Sequence, residues 1–185
     1  ELSKTFALPL VVTAIYVLHY VTVDTWAVGA ARTPYKLKYP FTTETVEASK
    51  LEPFIRSLRA QQNQVEQAWA FFFVMWACAV AFDPLFAGGS GCIWVVARIA
   101  YGYMYRVNPS RNKLMWTTIP AYLAQLLCCG GVLTAVLPFS LPIATSVSFA
   151  VVLAFVIYGW FVYRKWFGGF VAEEMEELMD DCEYE

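Results

Sequence analysis

The residues best suited to chemistry lie in RSLRAQQNQVEQ, positions 56–67, set against the apolar run AWAFFFVMWACAVAF that follows. Arg56, Arg59, Asn63, Glu66 and Ala70 recur at alternating steps of three and four, so on a helix Arg59, Asn63 and Glu66 stack on one stripe over two turns. A second stretch, ARIAYGYMY, places Arg98, Tyr101 and Tyr105 at i, i+3 and i+7, again on one face. Arginines grip carboxylates through charge-assisted hydrogen bonds, a carboxylate holds an ammonium group, and amides and phenols orient what lies between. Two facing stripes of this kind describe a site for a small zwitterionic or anionic ligand. They describe an interhelical polar seam equally well, with the tyrosines bonding across a bundle. Arg98 sits about 12 Å of helix rise inside the Arg106 end, where an unpaired guanidinium costs several kcal/mol, so it needs an anion or carbonyls nearby, with Glu66 the best candidate in the chain.

The elements that position these groups are membrane spans. The 185 residues are 59% hydrophobic and 17% aromatic with only 15% charged, which excludes a soluble enzyme. The apolar weight predicts an all-α integral membrane bundle with spans at about 5–31, 53–82, 90–106, 115–138 and 142–164. Four of these form the core of the bundle and the fifth is C-terminal. Helix two must start near Pro53, a residue suited to a first helical turn, because the apolar run from Glu66 is too short to cross alone. Asp83-Pro84 and Gly88-Gly89 predict the turn into span three, and Gly130-Gly131 permits close packing in span four.

Five spans put eleven of the thirteen basic residues on one side, leaving Lys4 opposite and Arg98 inside span three. That asymmetry fits the positive-inside rule. An alternative bends the last apolar stretch along the bundle. Residues 1–172 read as one domain, and the eight acids of 173–185 form an acidic tail, read as a solvated end. The five cysteines show neither a disulfide framework nor metal-ligand spacing, and nothing in the chain reads as a phosphate loop or a nucleic-acid motif. His19 and Asp24 are five apart, a spacing that does not share one face of an α-helix; His19 reads as a packing residue, and Asp24 as a structural partner for Arg32 or Arg106. Trp26, Trp69, Trp94, Trp116, Trp160 and Trp166 suit an interfacial belt or a lipid-facing surface.

The two stretches together, of form RxxRAxxNxxE and ARxxYxxxY and separated by about one span, resemble the motifs of the MAPEG family, membrane-associated proteins of eicosanoid and glutathione metabolism. The resemblance covers roughly positions 56–116. It implies a homotrimer of helical bundles that binds glutathione between neighbouring subunits, together with a lipophilic substrate. Carried over by position, it assigns Arg59, Gln61, Asn63 and Glu66 on helix two, and Arg98, Tyr101 and Tyr105 on helix three, to glutathione binding. Arg32 then reaches the glycine end of the tripeptide. Arg111 is the nearest match to the family's thiol-activating arginine, at a spacing from Tyr105 that is shorter by a residue or more. No metal is implied.

The resemblance implies a glutathione transferase or peroxidase acting on lipophilic electrophiles or lipid hydroperoxides, in the endoplasmic reticulum or in a mitochondrial or plastid membrane. Gln67, where several members carry a ring, and the added span and tail depart from the family plan. They motivate an alternative, a non-catalytic accessory subunit of a larger membrane complex with other membrane subunits as partners. A third reading is a member that presents lipid to a partner without chemistry.

Overall fold

The computed structural model describes residues 2–37, 52–107, 111–138 and 140–166, and these are helical with no strand among them. After a short turn at Leu2–Thr5, α1 runs Ala7–Tyr35, α2 Glu52–Ala81, α3 Pro84–Val107, α4 Arg111–Val136 and α5 Leu141–Trp166. The chain divides into two compact units, Glu1–Thr145 and Ser146–Glu185, with the division inside α5. The first unit holds α1 to α4. Each of these four contains a stretch long and apolar enough to cross a membrane, and the protein is an integral membrane protein. The described apolar part of the fifth helix, Leu141–Ala154, is shorter than the four spans. The acidic tail at 173–185 lies outside the described residues.

Helix α2 is 30 residues long, because Pro53 costs no hydrogen bond in its first turn. α3 starts earlier than the glycines suggested. Asp83 accepts the Phe86 N–H at 2.6 Å and caps a helix that opens on Pro84, so Gly88-Gly89 is helical and not part of a turn. The use of Gly88 is packing: a Cβ there would stand 2.6 Å from the Leu8 side chain of α1.

Lipid tails are as apolar as leucine, so the bundle is held by close contact and interhelical hydrogen bonds rather than by expelling water. α3 is its axis. Half of its apolar window is buried, against 22% for α1, and its inward face is small or flat: Ala87, Gly88, Ser90, Gly91, Ala97 and Gly102 around Trp94. Trp94 stacks on Phe71 of α2 with ring centroids 4.3 Å apart and 4° between planes, and Tyr16 of α1 closes on it at 5.2 Å. Trp94 is therefore a core residue and not part of a belt, whereas Trp26, Trp69 and Trp116 are exposed as a lipid-facing surface requires. The glycine pair of α4 works in both directions. Gly130 admits the Thr145 side chain of α5, and Gly131 admits Cys78.

Candidate functional site

The basic ends of α1, α2 and α3 meet, and the polar residues gathered there fall into three groups. In the first, Arg98 is 4% exposed and is held by α2: its Nε donates to Gln64 Oε1 at 3.0 Å and a terminal nitrogen donates to the Asn63 carbonyl at 2.8 Å. Gln64 returns a bond from Nε2 to the Arg98 carbonyl at 2.7 Å, and Tyr16 donates its hydroxyl proton to the Gln64 carbonyl at 2.9 Å. The guanidinium lies over the Tyr101 ring at 4.5 Å, within cation–π range. The absent side chain of Gly102 makes room for this, since a Cβ there would stand 2.7 Å from Gln64 Nε2.

The expected partnership of Arg98 with Glu66 is thus corrected. Glu66 is exposed, and no carboxylate among the described residues pairs with Arg98. The reason is helical register: Gln64 falls in line with Phe54, Ser57, Ala60, Phe71, Met75 and Cys78, the buried row of α2, and Glu66 does not. That row was the signal by which Gln64 was identifiable in the sequence, as a polar residue in an apolar register.

The second group is built by an irregularity in α1. Tyr20–Asp24 is a π-helical turn, which inserts a residue and lets positions five apart share a face. His19 Nδ1 thereby comes within 3.4 Å of Asp24 Oδ2, contrary to the α-helical expectation, and Asp24, fully buried, pairs through its other oxygen with Arg106 of α3. The pairing of Asp24 with Arg106 is one of the two expected.

The third group is what remains open. Arg59 and Glu66 are exposed on α2, with no hydrogen bond or ion pair to any other described residue, and Asn63 stands half-buried between them. On another side of α2, between it and α1, runs a groove of about 580 Å³ lined by Thr25, Trp26, Val28, Gly29, Thr33 and Gln61. Gln61 Nε2 reaches Thr25 Oγ1 at 3.4 Å across it. The volume is within the range of small-molecule sites. Arg32, at the end of α1, lies with its guanidinium carbon 5.4 Å from the Phe54 ring centre. Tyr101 and Tyr105 are half-buried and face each other at 5.8 Å. Arg111 opens α4, and its side chain lies outside the described residues. The structure therefore brings Arg98 and Tyr101 together, gathers Arg59, Asn63 and Glu66 on a separate face, and sets Gln61 in the groove. No metal-ligand cluster occurs among the described residues.

The chain is 29% identical over 126 residues to an uncharacterized protein of Synechocystis sp., covering 68% of this chain and 86% of that one. It is 32% identical over 107 residues to microsomal glutathione S-transferase 2 of Mus musculus, covering 55% and 69%. The MAPEG family model matches residues 7–138, which takes in α1 to α4 and both motif stretches, and on that match the chain belongs to the MAPEG family.

Proposed function

We propose that this protein is a membrane glutathione transferase or peroxidase acting on lipophilic electrophiles or lipid hydroperoxides. The observation that carries the reading is the outward stripe of Arg59, Asn63 and Glu66, on a helix whose Gln61 lines a separate groove, in a chain similar to a microsomal glutathione S-transferase. Glutathione offers two carboxylates, an ammonium, two amides and a thiol. Arg59 and Arg32 suit the carboxylates, Glu66 the ammonium, Asn63 and Gln61 the amides, and the Tyr101 and Tyr105 hydroxyls the backbone between them.

Arg111, by resemblance, stabilises the thiolate over the thiol, since a nearby positive charge favours the ionised form. That thiolate attacks the electrophile to form a thioether, or attacks a hydroperoxide oxygen to release the alcohol and leave a glutathione sulfenic acid, which a second glutathione converts to the disulfide and water; the lipid reaches it from the bilayer. The groove is open along one side, and in a homotrimer a neighbouring subunit would close it. The membrane is that of the endoplasmic reticulum or of an organelle.

A second reading, a non-catalytic subunit of a larger membrane complex, is favoured by one observation: protein groups already satisfy Arg98, as in a purely structural seam. Two experiments separate the readings. Calorimetry on detergent-solubilised protein is expected to give saturable glutathione binding that an Asn63→Ala and Glu66→Gln double variant loses, with Arg111→Ala removing turnover while leaving assembly intact. No binding by folded protein, together with a native mass showing one copy among unrelated chains, would replace the enzyme by the subunit.

A further inference from the structure

The sulfur chemistry of the bundle lies apart from the glutathione site. Cys78 on α2 and Cys128 on α4 are distant in sequence and follow no spacing motif, yet both are fully buried in the same core cluster. Gly131, one turn beyond Cys128 on α4, leaves space that the Cys78 sulfur fills: it lies 2.6 Å from the position a Cβ would take. This contact brings the Cys78 thiol onto the face of α4 that carries Cys128. Cys78 and Cys128 are neighbours in this core, and Ser90 of α3 is buried beside Cys128. Cys92 differs in being exposed, where it lines an apolar groove with Val96, Trp116 and Pro120.

We propose that Cys78 and Cys128 form a reversible disulfide that ties α2 to α4, with an organic hydroperoxide dissolved in the bilayer as the oxidant. One sulfur attacks the terminal peroxide oxygen, the O–O bond breaks, and the alkoxide leaves as the alcohol with the thiol proton. The second thiol then displaces hydroxide from the resulting sulfenic acid, so that the S–S bond forms and water departs. Two thiols and one hydroperoxide give one disulfide, one alcohol and one water; the sulfurs lose two electrons and the peroxide gains them. Two equivalents of a small thiol reverse the step and become a disulfide themselves. Burial decides the oxidant, because both sulfurs are shut off from bulky aqueous reagents and are open only to a small or apolar one. The link would join the helix that carries Arg59, Asn63 and Glu66 to the helix that Arg111 opens.

The test uses the full chain in liposomes exposed to tert-butyl hydroperoxide, denatured in excess alkylating reagent, digested without reductant and read by mass spectrometry. The expected result is a linked pair of peptides containing Cys78 and Cys128, two hydrogens lighter than their sum and released by dithiothreitol, with free thiols falling from the five in the sequence to three. Cys92→Ser and Cys129→Ser variants retain the link, while Gly131→Ala, which crowds the Cys78 sulfur, lowers its yield severalfold. Full alkylation of Cys78 and Cys128 while Cys92 alone is consumed overturns the proposal. So does loss of the link in the Cys129→Ser variant, which would assign the bond to the neighbouring sulfur.

Discussion

Helix α2 carries two polar faces, and they differ in what completes them. Toward α3, Gln64 gives and takes hydrogen bonds with Arg98, and its carbonyl accepts from Tyr16, so each named group has a protein partner. Toward the outside, Arg59 and Glu66 have none among the described residues. The residue types on the two faces are alike, and only the angle around the helix separates a seam from a candidate ligand surface. A polar residue in the membrane is therefore informative through its register, more than through its identity.

The comparison breaks most severely at the inward end. Asp24→Leu leaves Arg106 without its buried carboxylate and is expected to cost about 3–5 kcal/mol of stability in detergent-based unfolding. A loss under about 1 kcal/mol would show that Arg106 finds water at the end of the bundle, and that the pair is not a buried one in the energetic sense. Gln64→Leu comes next, at about 3 kcal/mol, because it strips a neutral acceptor from a buried guanidinium and a donor from the Arg98 carbonyl. Glutathione binding measured on the surviving folded fraction should persist, since the Gln64 side chain is taken up by Arg98 and does not line the groove. Gly102→Ala pushes a methyl group into the Gln64 amide, with an expected cost of about 1–3 kcal/mol by the same unfolding assay; an unchanged midpoint would mean the amide has room to move.

Much of this was legible in the sequence, for reasons that differ by element. Span positions followed from length and apolar content, and the start of α2 from Pro53, because the thickness of a bilayer leaves little freedom. The pairing of Arg98 was not legible, because a carboxylate two residues from Gln64 looked the better partner until the buried row of α2 fixed which side chain points inward. Gly88-Gly89 read as a turn because glycine pairs usually are, whereas here Gly88 serves a close approach of α1. The contact of His19 with Asp24 depends on a π-turn that residue types do not announce. Cys78 and Cys128 meet only through tertiary packing, which no local spacing encodes.

The gentlest change tests where one face ends and the other begins. Gln61 is half-buried, next to the inward row, with a single long contact to Thr25 across the groove. If it belongs to the outward face, Gln61→Ala should shift stability by no more than about 0.5 kcal/mol, since a bond of that length between partly exposed groups contributes little. The same variant should weaken glutathione binding by about fivefold to tenfold in calorimetry, the equivalent of one lost hydrogen bond to the ligand. The opposite result, unchanged affinity with stability lowered by more than about 1 kcal/mol, would assign Gln61 to the seam. Thr25 would then be part of the packing between α1 and α2, and the candidate site would lose Gln61.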